Sequence, residues 1–391
     1  MRIALKNEQE KIIELFVFTV FLQIFVFCIN AIGRVTIGET PYDTVLVYGV
    51  YVIYVLRAWR SIVKKFSRNT IMLVIAIGIH IAYAILMNDQ VSKEPELFKT
   101  TLYNIAIGIV FGGAILDWDL CLKKLTAMTR IGSVLMITAF VLYNYVLKIH
   151  WGEGAMGLSY MLLTVAVLCM YKILKRFNTI DFILLIILLT IMLLQGSRGP
   201  FLSVILYFLI YVMTNFRKYT FKILFLFGIF IFIASIVYMN IDEILSYMDS
   251  VATNNQFDAK IIRWALEGNI AELNGRDSIF KQSVDMIKER PLYGYGMFGD
   301  RQVMGSYCHN IFIELMVDFG GVWGVAISVF IILGVINRLI HCSQTQRDVI
   351  TILFGVFIFK LLMSGTFWTE FAFFMIITLI INDPKGKKQM L

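Results

Sequence analysis

Long apolar runs, separated by short polar segments, repeat along the whole chain. Each run is close to the ~20 residues that a helix needs to cross ~30 Å of hydrocarbon. The pattern predicts about twelve membrane-spanning helices, at roughly 13–33, 42–57, 70–88, 100–117, 131–148, 156–174, 180–195, 200–215, 220–240, 309–338, 348–365 and 368–382. The tenth run is too long for one straight crossing, so we expect Gly320-Gly321 to divide it into an outer half-helix and a full span. The fold class is therefore an all-α, polytopic integral membrane protein.

Composition and charge support this architecture and give it an orientation. The chain has 391 residues, of which 59% are hydrophobic and only 16% are charged, too few for a soluble domain of this size. Lysine and arginine concentrate in alternate segments, which predicts that both termini are cytoplasmic and that the long 241–308 segment faces outward. The net charge of +8 then reflects topology and anionic lipid at the inner face, not a nucleic-acid partner.

The chain is predicted to form a single membrane domain, 1–391. Its one large extracytoplasmic loop, 241–308, lies between the ninth and tenth spans and is expected to carry amphipathic helices and part of the active site. The five cysteines give neither a disulfide framework nor a metal pattern, and only Cys308 is expected to face outward. No cofactor is predicted.

The first candidate site is the stretch "QGSRGPF", at the outer end of the seventh predicted span. Pro200 suits the first turn of the next helix, and Gly199 permits close approach to the backbone. Arg198, next to Ser197 and a helix N-terminus, is suited to hold an anion such as a phosphate. The alternative is a tight hairpin whose arginine reaches lipid headgroups.

The second candidate lies in the outer loop, residues 274–301. An interfacial amphipathic helix is expected there, with an apolar face formed by Ile279, Phe280, Val284 and Ile287. Pro291 should end this helix, and the glycines that follow it should form a flexible turn, at Gly294, Gly296 and Gly299. Arg276 stands at the helix start, where the amphipathic face does not require a charge. A solvated charge in a loop is the alternative reading of this arginine.

The third candidate is "GSYCHNIFIELMVDFGGVWG", residues 305–324. Ser306 is a plausible N-cap, which would place His309 in the first turn of the half-helix. A histidine near the positive end of a helix dipole stays neutral, so its imidazole can accept a proton. The polar residues of this helix are spaced i, i+4: Asn310, Glu314 and Asp318. An interfacial histidine that only packs is the alternative, and it is the reading that we adopt for His80 and His150.

Taken in order, these motifs resemble the O-antigen polymerase and O-antigen ligase superfamily over roughly residues 180–340. The resemblance implies transfer of glycans from undecaprenyl diphosphate, without a metal, at the outer face of the cytoplasmic membrane. It implies that Arg198 and Arg276 bind the donor diphosphate and that His309 activates the acceptor hydroxyl. Arg263 and Arg301 are competitors for the role of Arg276. Further residues have supporting roles in this reading: Ser197, Gly199, Asn310 and Arg290. Arg290 departs from the family pattern, which often has a small polar residue before the proline.

The expected activity is that of a polymerase, which joins lipid-linked oligosaccharide repeat units into an O-antigen, capsule or exopolysaccharide. The alternative within enzymes is a ligase that transfers the glycan to another acceptor. A lipid-linked oligosaccharide flippase or transporter is the alternative from another class, although transporters place their ionisable residues near the membrane midplane. The implied partners are the lipid-linked oligosaccharide, membrane lipid, a flippase and a chain-length regulator.

Overall fold

The computed structural model describes residues 2–36, 42–63, 67–87, 90–143, 155–194, 199–215 and 276–382, with a few positions between 246 and 253. Every regular element in these ranges is a helix. Six of the described helices are long and apolar enough to cross a membrane, and four shorter apolar helices accompany them. The chain is therefore a multi-pass, all-helical membrane protein. The predicted span at 220–240 lies outside the described residues.

The first nine helices carry most of the predicted spans. They are α1 (Arg2–Thr36), α2 (Tyr42–Val63), α3 (Arg68–Met87), α4 (Gln90–Lys93), α5 (Pro95–Ala114), α6 (Trp118–Val141), α7 (Ala155–Lys175), α8 (Thr179–Leu194) and α9 (Gly199–Asn215). Predicted and observed boundaries agree closely for α3, α7, α8 and α9. The helix that carries the span predicted at 131–148 begins earlier, at Trp118, and residues 144–148 lie outside the described part of the chain. Lys123, Lys124 and Arg130 interrupt the apolar run without interrupting the helix.

The last six α-helices of the described part lie between residues 276 and 382. They are α10 (Arg276–Glu289), α11 (Gly299–Met304), α12 (Ile311–Phe319), α13 (Gly321–His341), α14 (Gln344–Leu353) and α15 (Phe371–Ile381). The predicted break at Gly320 is confirmed, since this glycine has a φ of 86° and separates α12 from α13. The span predicted at 348–365 is not one α-helix. After α14 the chain continues through a π turn, Phe354–Ile358, and a 3₁₀ turn, Phe359–Leu362.

The chain divides into two compact units. Unit 1 contains Met1–Phe16, Val55–Cys121 and Leu273–Leu391, and its central packing joins α5 to α15. Two glycines of α5 make the close approach possible. A Cβ on Gly108 would lie 2.2 Å from the Phe371 carbonyl oxygen, and one on Gly112 would lie 2.6 Å from that of Met375. Small residues at this spacing are how membrane helices bring their backbones together.

Unit 2 contains Val17–Tyr54 and Leu122–Glu272. A buried carboxylate joins three of its helices. Asp181 of α8 accepts hydrogen bonds from Arg130 of α6 at 2.8 and 3.1 Å and from Lys172 of α7 at 3.1 Å. The carboxylate is thus paired as well as hydrogen-bonded, which a buried charge requires. This contact therefore connects α6, α7 and α8 to one another.

Candidate functional site

His309 lies immediately before helix α12. The cap of this helix is Asn310, whose side-chain oxygen accepts hydrogen bonds from the amides of Phe312 and Ile313 at 3.0 and 3.3 Å. The prediction that Ser306 caps the helix and that His309 occupies its first turn is therefore wrong. Instead, His309 has a φ of 56°, in the left-handed region that few residues other than glycine adopt. Backbone strain of this kind persists only where the surroundings hold it.

The imidazole of His309 is half-buried and neutral. Its ring lies against that of Tyr307, with 4.0 Å between the centroids, and its Nδ1 atom is enclosed and has no hydrogen-bond partner among the described residues. Burial, and secondly the positive charge of Arg276, lower the pKa of His309 from its ordinary 6.5 to about 4. At neutral pH this imidazole is able to accept a proton.

Arg276 is the first residue of α10 and is half-buried. Within the part of the chain that the structure describes, it forms no salt bridge. Its influence on the pKa of His309 places the two side chains within electrostatic reach of each other. The structure thus brings together two of the three principal residues predicted from sequence.

Helix α10 forms as predicted and ends at Glu289, before Pro291. The residues that it buries differ from the expected face, because Ser283 and Met286 are enclosed while Val284 is 45% exposed. Met286 packs with Tyr295, Cys308 and Val317. The helix therefore rests on the segment that leads to His309. Burial also raises the pKa of the Cys308 thiol, which makes this cysteine unreactive.

The glycines after Pro291 form a fixed turn, so the prediction of a flexible one is wrong. The amides of Tyr295 and Gly296 donate to the carbonyl oxygens of Val317 and Asp318 at 2.9 and 3.0 Å. Gly294 has a φ of 60°, and a Cβ there would lie 2.4 Å from the Gly320 nitrogen. Backbone contacts therefore hold this turn against the break between α12 and α13.

The other arginines of this region differ from Arg276. The guanidinium of Arg290 stacks on the ring of Tyr295, 4.3 Å from its centroid. Arg301, a predicted competitor of Arg276, is paired with Asp300 at 3.2 Å, and its side chain is only 11% exposed. Its charge is thus neutralised inside the protein. Arg263, the other competitor, lies outside the described residues.

Sequence reasoning missed a polar contact between α12 and the 362–368 segment. Glu314 accepts hydrogen bonds from the Thr366 hydroxyl and the Phe367 amide, and Asp318 accepts one from the Trp368 indole at 2.7 Å. At the start of the same helix, the side-chain amide of Asn310 donates a hydrogen bond to the Leu362 carbonyl oxygen at 3.2 Å. The only sequence signal was the i, i+4 spacing of the three polar residues. Asn310, predicted to support the site, does so by capping α12 and anchoring it to this segment.

Arg198 and Ser197 lie outside the described residues, as does His150. Gly199 opens α9, and a Cβ on it would lie 2.5 Å from the hydroxyl oxygen of Tyr160. The group that approaches the Gly199 backbone is therefore the side chain of Tyr160 in α7. Tyr160 had not been singled out from the sequence.

His80 packs as expected. Its ring stacks on Phe319 at 4.0 Å and on Trp368 at 5.6 Å between centroids. This aromatic stack places α3 beside the end of α12. Within the described residues, no group of three or more histidine, cysteine or carboxylate side chains is arranged to hold a metal ion.

Residues 183–328 match a family model described as O-antigen ligase. The matched segment includes Arg198, Arg276 and His309 but ends before the 362–368 segment. No curated protein and no solved structure matches the chain.

Proposed function

The chain belongs to the O-antigen polymerase and ligase superfamily, whose members are membrane enzymes of glycan assembly, and from this premise we propose that it is a polysaccharide polymerase. It joins undecaprenyl-diphosphate-linked oligosaccharide repeat units into a surface polysaccharide. The reaction takes place at the outer face of the cytoplasmic membrane. This orientation rests on the distribution of lysine and arginine along the sequence.

The observation that carries the proposal is the half-buried imidazole of His309, held at a φ of 56° against Tyr307 and lowered in pKa by burial and by the charge of Arg276. A neutral imidazole is a suitable general base for a sugar hydroxyl. An arginine that forms no salt bridge within the described residues is suited to a diphosphate, because its planar group offers two parallel donors. Both residues lie in the segment that matches the family model.

In the proposed reaction, His309 takes the proton of the acceptor hydroxyl while that oxygen bonds to the anomeric carbon of the donor. The bond from the anomeric carbon to the diphosphate breaks, and its electron pair leaves with the diphosphate. Arg276, together with Arg198, stabilises the charge that develops there and does so without a metal. Attack opposite the leaving group inverts the anomeric centre.

The test is chain growth by purified protein in liposomes that contain lipid-linked repeat units and no ion gradient. We expect a ladder of longer lipid-linked chains. His309→Ala should reduce turnover by roughly 10²–10⁴-fold, the usual contribution of a positioned base. His341→Ala is the matched control, because this histidine is exposed at the end of α13. Normal chain growth by His309→Ala would remove the base assignment.

The ligase alternative is favoured by the description of the matching family model. The same liposomes, supplied with lipid A core as a second acceptor, separate the two activities. Transfer to that acceptor without chain growth would identify a ligase. Movement of lipid-linked units across the bilayer without any new glycosidic bond would identify a flippase. A flippase and a chain-length regulator are expected as protein partners only if the protein is a polymerase.

A further inference from the structure

The backbone of His309 is held in its left-handed conformation from both sides. On the following side, Asn310 caps α12 and donates to the Leu362 carbonyl oxygen at 3.2 Å. On the preceding side, the amide of Cys308 donates to the Asp300 carboxylate at 3.1 Å. Asp300 therefore fixes the peptide between Tyr307 and Cys308, one residue before His309.

Asp300 is fully buried and uses both of its oxygens. Oδ2 accepts from the Cys308 amide, while Oδ1 accepts from the Arg301 amide at 2.8 Å and from the Arg301 guanidinium at 3.2 Å. Burial raises the pKa of Asp300, and the charge of Arg301 and the amide donors oppose this rise. The carboxylate thus connects helix α11 to the 307–309 segment.

The same pair also supports the ring of His309. The Arg301 guanidinium, held by Asp300, lies over the Tyr307 ring at 5.6 Å from its centroid. The other end of Tyr307 is fixed, since its hydroxyl is hydrogen-bonded to that of Ser364 at 3.3 Å. Tyr307 in turn packs against the imidazole, so that contacts originating at Asp300 reach both the backbone and the ring of His309.

From this geometry we propose that Asp300 is the positioning residue of His309, acting through the Cys308 amide and through the stack of Arg301 on Tyr307. The catalytic meaning of this role rests on the proposed function of His309 as a base. An aspartate is required because both oxygens accept hydrogen bonds. Asparagine offers only one acceptor oxygen, so one of the two connections is lost in Asp300→Asn.

The first test measures His309 directly and needs no enzymatic activity. Purified protein is treated with diethyl pyrocarbonate at a pH where imidazoles are neutral, and modification is followed by mass spectrometry. We expect His309 to react several-fold faster in Asp300→Asn than in the wild type, because the ring is released from Tyr307. His341, in the same digest, should react at an unchanged rate. Asp285→Asn on the exposed face of α10 is the matched control.

The second test is a double-mutant cycle in the chain-growth assay. Asp300→Asn should lower kcat by about 10- to 100-fold. This is the range seen when a residue that orients a metal-binding side chain is replaced. KM for the lipid-linked donor should change little. In the His309→Ala background, Asp300→Asn should cause no further loss, because residues that act as a unit are not additive. Equal losses in both backgrounds would overturn the proposal.

Arg301→Gln keeps the test decisive if Asp300→Asn does not fold. It removes the guanidinium from Asp300 and Tyr307 but retains the backbone donor, so His309 should again react faster, to a smaller extent. An unchanged rate at His309 in folded Asp300→Asn or Arg301→Gln protein would refute the positioning role. Failure of the proposed function gives a different result. His309→Ala would then retain activity, while the labelling would still report how His309 is held.

Discussion

The backbones of Gly294 and Gly320 cross so closely that a Cβ on Gly294 would lie 2.4 Å from the Gly320 amide nitrogen. A Cβ on Gly320 would in turn lie 2.6 Å from the Leu292 carbonyl carbon. Both glycines have positive φ values, 60° and 86°. The turn after α10 and the break between α12 and α13 are thus one structural unit, and neither glycine has room for a side chain.

Gly294→Ala should therefore destabilise the protein strongly. The cost should exceed that of Gly305→Ala, whose φ is 66° but whose Cβ would meet no atom within 4 Å. Gly305→Ala should lose only ~1–2 kcal/mol of stability, the cost of placing an alanine in the left-handed conformation. Thermal unfolding in detergent measures both variants, and an equal loss of stability would show that the close backbone crossing has no energetic consequence.

Gly199→Ala should clash with the Tyr160 hydroxyl and lower stability by ~1–3 kcal/mol, as overpacking does. The next atom of Tyr160, Cζ, would be at 3.4 Å, an ordinary contact. Gly199→Ala should consequently cost much less when it is combined with Tyr160→Phe. Unfolding midpoints of the wild type, both single variants and the double variant give the coupling energy, and additive effects would contradict the contact.

Arg276→Met should raise the pKa of His309, because a nearby positive charge that disfavours the imidazolium is removed. The value should stay below 6.5, since burial is the larger cause. Protonated histidine does not react with diethyl pyrocarbonate, so labelling of His309 should decline at a higher pH than the wild-type midpoint of about 4. Lys281→Met, at an exposed position of the same helix, is the control and should leave the midpoint unchanged.

Trp368→Phe should destabilise the site by ~1–3 kcal/mol, because it removes the hydrogen bond to Asp318 Oδ2. Asp318 Oδ1 has no partner among the described residues, so the buried carboxyl would lose its indole donor with no replacement. In the Asp318→Leu background the same substitution should cost less. Denaturant titration of the four proteins checks this, and the idea fails if the cost is equal in both backgrounds.

Local signals in the sequence were sufficient for the C-terminal ends of α10 and α12. Pro291 and Gly320 stop helices through their own backbone properties, and both ends were predicted correctly. The cap of α12 was assigned wrongly because serine and asparagine are both good capping residues. Asn310 caps in part because its side chain also bonds to Leu362, which is 52 positions away. No local pattern contains that information.

The candidate site residues that the sequence offers are those whose side chains have a recognisable chemistry, such as Arg276 and His309. Asp300 follows Gly299 in a turn-forming stretch, and nothing in that stretch indicates that its carboxylate is buried. Its burial results from the packing of α11 against α4, α10 and α12. The left-handed backbone of His309 was equally hidden, because most histidines adopt a negative φ even though this residue type is enriched in the left-handed region.

The polar contacts between α12 and the 362–368 segment have a consequence for protein engineering. The recognisable family segment, 183–328, carries Glu314 and Asp318, but their partners Thr366 and Trp368 lie beyond its end. An exchange of that segment between two superfamily members would separate each buried carboxyl from the donor that matches it. A functional chimera must therefore transplant the 362–368 segment together with the family segment. The part of the chain that is recognisable as the family ends at residue 328, whereas the hydrogen-bond partners of its two buried carboxyls extend to residue 368.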